Sequence, residues 1–429
     1  MAVRTADGQT KSRLRAMARC WQPASFFLFS ANMASGVVSA VPTVGRSAAA
    51  SAATQSMAEL GIASIIGAGC VEREFLTPAT IKALSKATFS ILLPMFLGTS
   101  IIQSVTKYGL KRSSLAVPLL AIVQSTCLFL ASKLILLPLA GIDSDSDDGR
   151  ATTVCCSFGN SGVVPLIFCE SLFRQSANSD YVAQSTAFVS LFLIGWSPYF
   201  WSFGRSVLIP DRSDSKTKSG TEKFADLAKQ ALPPPVVGVF VGLFIATTPL
   251  CRLFLSPPNS DSKAPLSIIF NSIAHFGRAA SPLSLLILVS SLAVGAGIGN
   301  HITNDNSSKQ VAERGDVEAD GTTETKLLTK WAVVSITRFL FSPALMYGLL
   351  HLAERMGAIG GVDDNPMLWF ILILEATMPP AQNSVTMLQV ADRGDDAASM
   401  AMFLFSVYLT SMIPVVIVLT FALQNFKLA

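Results

Sequence analysis

The chain has 429 residues, 51% of them hydrophobic and only 14% charged, with a formal net charge of +4. Soluble proteins carry roughly 25% charged residues, so this chain has too little polar surface to cover a water-soluble globule and too much apolar content for intrinsic disorder. Basic residues sit in loops, not in a stripe with interleaved aromatics, which argues against a nucleic-acid binder.

Apolar stretches of about 20 residues without alternation argue for helices over a β-barrel. The fold class is therefore an all-α polytopic membrane protein. The seven cysteines lie mostly inside apolar runs and do not read as a disulfide framework. His275, His301 and His351 are too scattered for a metal site, and neither His-Glu-x-x-His nor a paired Cys-x-x-Cys occurs. No metal or cofactor is expected.

Residues 1–56 read as a basic extension. Arg4, Lys11, Arg13, Arg15 and Arg19 stand against Asp7, an apolar run covers about 26–44, and Val38-Ser39-Ala40 offers a small-residue cleavage site. That pattern fits a secretory signal peptide or anchor; the scarcity of acids also suits an organelle transit segment. The Ala- and Ser-rich stretch 45–56 reads as a linker.

About ten candidate spans follow, judged by the ~20 apolar residues a crossing needs. They cover about 57–71, 81–105 (with Pro94), 115–139 (with Lys133), 152–173, 181–208, 233–250, 280–298, 327–352, 367–390 and 398–423. The fourth is interrupted by Gly159, Gly162 and Pro165, and the ninth by Pro379-Pro380. Arg205, Arg212, Lys216, Lys218, Lys223 and Lys229 cluster after span five, and Lys309, Arg314, Lys326 and Lys330 after span seven. Positive charge places both loops in the cytoplasm.

The chain then divides into a five-helix repeat at 57–208, a cytoplasmic loop at 209–231 and a second five-helix repeat at 232–424. An odd number of spans per half inverts one half relative to the other, and each broken span is fourth in its half. Corresponding broken helices point to a substrate site. The symmetry rests on span order and break position, without residue-level identity between halves.

Two motifs carry the chemistry. Ser157-Phe158-Gly159-Asn160-Ser161-Gly162-Val163-Val164-Pro165-Leu166 combines glycines that permit unusual backbone, a proline lacking a donor, and an asparagine that both donates and accepts. It reads either as an unwound segment or as a glycine-rich helix contact with a kink. In Glu375-Ala376-Thr377-Met378-Pro379-Pro380-Ala381-Gln382-Asn383-Ser384-Val385-Thr386, the proline pair cannot continue a helix, and Gln382, Asn383 and Thr386 follow within two turns. Half-helix ends would offer amides and positive dipole to an anion.

Glu375 is an ionisable group at membrane depth. It reads as a proton-coupling carboxylate or as a structural partner of Arg338, Lys133 or a helix end. Arg338 would balance an anionic substrate or pair with Glu375. Lys133 reads as snorkelling to an interface, and Glu170 as marking an aqueous end of span four. Trp196, Tyr199 and Trp201, near Pro198, read as interfacial anchors, with stacking on an aromatic substrate as the alternative.

At these residues the sequence resembles the auxin efflux carrier family, and particularly its PIN-LIKES branch. The likeness lies in Gly159-Asn160-x-Gly162-x-x-Pro165-Leu166, in Pro379-Pro380-Ala381-x-Asn383-x-x-Thr386, and in Arg338 ahead of Pro343. It extends weakly over about 57–424. Valine at 163 or 164 replaces a second asparagine often found there, Glu375 stands where that branch has a neutral amide, and the basic N-terminal extension is unusual for it.

The resemblance implies ten helices in two inverted repeats, with a scaffold of spans one, two, six and seven. A transport domain made of the other six would move across the membrane with its broken, crossing spans four and nine. It implies a secondary transporter of auxin-like indole carboxylates or other small organic anions, in the endoplasmic reticulum, with plasma membrane or plastid envelope as alternatives. Asn160, Pro165, Pro379, Pro380, Gln382, Asn383 and Thr386 would form the substrate site. Membrane lipid is the other expected partner, and a homodimer is compatible. An intramembrane enzyme lacks a catalytic dyad or metal set in this sequence, and a non-transporting receptor does not explain paired broken spans.

Overall fold

The computed structural model describes residues 62, 65–109, 112–173, 180–210, 233–256, 264–295, 321–426 and 428. The extension 1–56, most of the first expected span, and nearly all of the two basic loops lie outside the described residues. Among the described residues the chain is helical apart from one isolated antiparallel bridge.

A helix over 65–72 precedes α1 (Pro78–Lys107) and α2 (Ser114–Leu139). Next come α3 (Asp147–Ser157), α4 (Val163–Phe173) and α5 (Asp180–Tyr199), which continues through a π turn to Leu208. Then follow α6 (Pro234–Thr247), α7 (Ser267–Ser291) and α8 (Lys326–Arg355). Last are α9 (Pro366–Thr377), α10 (Asn383–Val390) and α11 (Gly394–Asn425). Helices α1, α2, α7 and α8 are each long and apolar enough to cross a membrane, and α11 bends by 47° beside Pro414. The expected start of span seven at 280 is corrected to Ser267. The first turns of α7 bury Phe270, Ala274 and Gly277 and expose Asn271, Ser272 and His275 beside Ile268, Ile269 and Phe276, and the polar residues lower their mean apolarity.

Three of the long helices share a device that hydropathy does not reveal. α1, α2 and α8 each contain a five-residue π turn, at Thr88–Leu92, Ser132–Leu136 and Thr337–Phe341. Each begins on a buried hydroxyl residue and is followed by a proline: Pro94, Pro138 and Pro343. The residue before each proline donates its N–H five residues back, to Thr88, Ser132 and Thr337 respectively. Proline supplies no donor and its ring crowds the preceding turn, and the wider π turn absorbs both effects without breaking the span.

Packing is set by close backbone approach. A Cβ on Gly238 of α6 would lie 2.5 Å from Pro94 Cα, and one on Gly242 2.6 Å from the Gly98 carbonyl. This is a small-xxx-small contact, the usual device for bringing membrane helices together. The molecular centre is α9. Every residue from Met367 to Thr377 is buried, Glu375 included. Its 12 residues rise only about 18 Å at 1.5 Å each, short of the ~30 Å hydrocarbon core.

The start of α1 and the end of α7 meet the end of α10. Ser85 Oγ donates to Gln389 Oε1, and Gln389 Nε2 donates to Ser291 Oγ at 3.0 Å. Lys82 pairs with Asp392, and its hydrogen bond and charge hold that carboxyl below the usual range.

Candidate functional site

Both expected interruptions are present, and they meet. α3 begins on Ser146, whose Oγ accepts the Gly149 N–H at 3.0 Å, with Asp147 and Asp148 in its positive first turn. It ends at Ser157. Phe158 is extended at φ −116°, ψ 114°. α9 ends at Thr377 and Met378 is likewise extended, at φ −64°, ψ 143°. The two extended pieces pair antiparallel, Gly159 opposite Pro380. Asn160 N donates to Pro379 O at 2.7 Å, and Ala381 N donates to Phe158 O at 2.9 Å. Unwound backbone at membrane depth is tolerated only where its polar groups are satisfied. Here each break supplies the other's partners.

The C-terminal end of α9 is capped by a cation. Arg338 of α8, 2% exposed, donates from Nε and Nη2 to Met378 O at 2.9 and 2.8 Å, and from Nη2 to Ala376 O at 3.3 Å. Ser342 Oγ donates to Ala376 O at 2.7 Å and accepts from Gln124 Nε2 at 2.9 Å. These carbonyls are the acceptors that a helix end leaves open, and a positive group there suits the helix dipole. Of the two roles the sequence left open for Arg338, pairing with Glu375 is not seen: among the described residues no ion pair joins them, and Nε and Nη2 are spent on backbone. Gly159 has no side chain because Arg338 occupies its place. A Cβ there would lie 2.1 Å from Nη2.

Asn160, Pro379 and Pro380 thus sit in the crossing itself. Pro165 does not: the break lies ahead of it, at 158–162, and Pro165 stands in the first turn of α4, where a missing donor costs nothing. Gly162 takes φ 118°, which favours glycine. Gln382 lies at the start of α10 with both amide atoms buried and unpartnered, as are both Glu375 carboxylate oxygens and Ser384 Oγ. Thr386 is buried one turn further along α10. Lys133 lies at the α2 π turn, partly exposed, and pairs with Asp145 at 3.1 Å, in keeping with snorkelling. Glu170 is exposed toward the end of α4.

A small cleft of about 20 Å³ lies beside the crossing between α1, α4, α5, α7 and α10, lined among others by Ser161, Gly162, Asn383, Phe96, Trp196 and Trp201. Trp196 and Trp201 are 2% and 1% exposed, so the expectation of interfacial anchors is corrected for both. Trp196 stacks on Phe200, with centroids 4.6 Å apart. Tyr199 hydrogen-bonds Thr126 at 3.0 Å. First-turn amides of α4 are groups that a helix start leaves without intrahelical partners, and the dipole there favours an anion; in α10, Ser384 N and Val385 N already donate to Ala381 O and Gln382 O at 3.1 and 3.0 Å, which leaves Asn383 N.

A second cavity of about 200 Å³ lies among the starts of α3, α8 and α11. Its charges are mutually paired, Lys330 with Asp148 and Arg393 with Asp396, the latter at 2.6 Å.

Sequence reasoning missed Tyr408 of α11. Its hydroxyl accepts from Asn160 Nδ2 at 2.6 Å and donates to Pro380 O at 2.9 Å. Tyr408 shares its span with Ser399, Ser406, Thr410, Ser411 and Thr420, so no sequence signal singled it out beyond its being the one tyrosine there.

Residues 52–418 match the model of a family described as membrane transport protein. The chain is 22% identical over 288 residues to Protein PIN-LIKES 1 of Arabidopsis thaliana, covering 58% of this chain and 54% of the relative. It is 25% identical over 186 residues to Protein PIN-LIKES 7 of the same plant, covering 43% and 39%. The aligned stretches span about half or less of those relatives' length.

Proposed function

Because the chain belongs to the membrane transport protein family, that of the auxin efflux carriers, we propose that it is a secondary transporter of a small, auxin-like organic anion. The observation that carries this reading is the antiparallel pairing of two broken helices at Gly159 and Pro380, which leaves two half-helix N-termini beside one cleft. A carboxylate would sit near Ser161, Gly162 and Asn383, facing the first-turn amides of α4 and the Asn383 amide of α10. Trp196 and Trp201, buried against the cleft, would have to part to admit a planar body. Arg338 acts by holding the C-terminal end of α9 rather than by meeting the substrate.

Two inverted five-helix repeats and elevator-type alternating access fit the same observations. The matched π turns of α2 and α8, each with a hydroxyl, a basic residue and a proline six positions after the hydroxyl, occupy the third place in each half. α1, α6 and α7 pack on one another as a scaffold would, and the Gln389 and Asp392 ties cross from that group to α10. Glu375, buried with both oxygens unpartnered, is the proton-coupling candidate. A homodimer in the endoplasmic reticulum membrane completes the reading.

The experiment is uptake of labelled indole-3-acetate, with an aliphatic carboxylate beside it, into proteoliposomes holding the purified full chain. Uptake is expected in the wild type and should fall at least tenfold in Asn383→Ala, with folding retained. No flux of either solute in the wild type would defeat the reading.

A further inference from the structure

We propose that Tyr408 is a positioning residue for the transport site, its phenol fixing which way round the Asn160 carboxamide lies; this rests on the reading of the crossing as the substrate site. A phenol carries one hydrogen. Pro380 O, 2.9 Å away, can only accept, so that hydrogen is committed there. The Asn160 atom 2.6 Å from the same phenol oxygen must then donate, which makes it Nδ2. A flipped amide would set Oδ1 against a phenol oxygen with no hydrogen to give.

The Asn160 backbone is pinned as well, through its N–H on Pro379 O at 2.7 Å. Oδ1 and the second Nδ2 hydrogen are therefore the groups left to Asn160, which adjoins the cleft residues Ser161 and Gly162, and among the described residues no hydrogen bond reaches Oδ1. One hydroxyl on α11 thus references both halves of the crossing, the α3–α4 break through Asn160 and the α9–α10 break through Pro380. Phenylalanine would keep the ring but leave the two amide orientations without a bias. A solute that needs one of them would bind more weakly and, once bound, be carried as before.

The test uses the full chain in lipid, as wild type and Tyr408→Phe, with two readouts. The first is hydrogen exchange of the Asn160 side-chain amide, followed by nitrogen-15 NMR beside the backbone amides of Asn160 and Ala381. The expected result is one protected side-chain proton in the wild type and a loss of that protection of at least tenfold in Tyr408→Phe, with the backbone amides unchanged. The second is uptake of labelled indole-3-acetate, where KM should rise about tenfold with kcat within twofold. Unaltered side-chain exchange, simultaneous loss of backbone protection, or an unchanged KM would each overturn the proposal. Should the wild type not carry indole-3-acetate, the transport reading falls while the exchange measurement still decides the role of Tyr408. Asn160→Asp guards against misfolding of Tyr408→Phe. A carboxylate cannot donate to the phenol and also repels an anionic solute, so its KM should rise at least as much as in Tyr408→Phe, and adding Tyr408→Phe should raise it no further; a multiplied effect would overturn the proposal.

Discussion

Replacing Gly159 by alanine adds one methyl group where Arg338 already lies. The new Cβ would sit 2.1 Å from Nη2 and 3.0 Å from Cζ, against ordinary contact from 3.4 Å. The guanidinium must retreat by the difference, about 1.3 Å, and the 2.8 Å bond from Nη2 to Met378 O then stretches beyond hydrogen-bonding range. The Nη2 contact with Ala376 O, already 3.3 Å, goes with it, although Ser342 still serves that carbonyl. Hydrogen bonds from a charged donor contribute about 1.5–3 kcal/mol each. Losing one fully and one partly should cost about 2–4 kcal/mol and loosen the crossing. Gly159 has no positive φ, so backbone strain adds nothing. Thermal unfolding of the purified protein in lipid, beside uptake, reads the effect. Gly348→Ala is the control, because nothing lies within 4 Å of its Cβ position and alanine favours the helix. A Gly159→Ala protein as stable and as active as the control would refute the cap assigned to Arg338.

Gly238→Leu should prevent α6 from packing on α1, because the added side chain meets Pro94 backbone from 2.5 Å outward; recovery of normally folded protein on size-exclusion chromatography would contradict this. Gln389→Leu strands Ser85 and Ser291 and should cost about 1–3 kcal/mol in thermal unfolding, whereas no change would mean that the tie is decorative. Lys82→Ala should matter far less, since its pair is solvent-exposed. The lowered carboxyl of Asp392 makes that small contribution present at neutral pH and lost as pH falls through its folded value; a Lys82→Ala stability difference independent of acid pH would contradict it. Glu375→Gln keeps the side-chain shape and removes the ionisable group, so uptake should lose its pH dependence; an identical profile removes Glu375 from proton coupling.

The breaks in spans four and nine were legible because glycine and proline act locally: Gly162 needs a positive φ, and Pro379 and Pro380 remove donors whatever surrounds them. The apolar runs likewise follow from the composition of each segment alone, but not their placement: α6 is as apolar as α9 yet exposes Phe240 and Phe244, while α9 is buried throughout. The start of α7 was not legible, because a turn of mixed polar and apolar residues looks polar until its neighbour α1 is known. Nor were the buried places of Trp196 and Trp201, since a tryptophan that anchors an interface and one that lines a cleft have the same sequence.

The partners of the crossing lie furthest from view. Arg338 caps carbonyls 38 and 40 residues later, and Tyr408 reaches an asparagine 248 residues earlier. Local chemistry determines where a helix must stop. Which group satisfies the atoms it leaves open depends on what the rest of the chain brings alongside, and that is a property of tertiary packing alone.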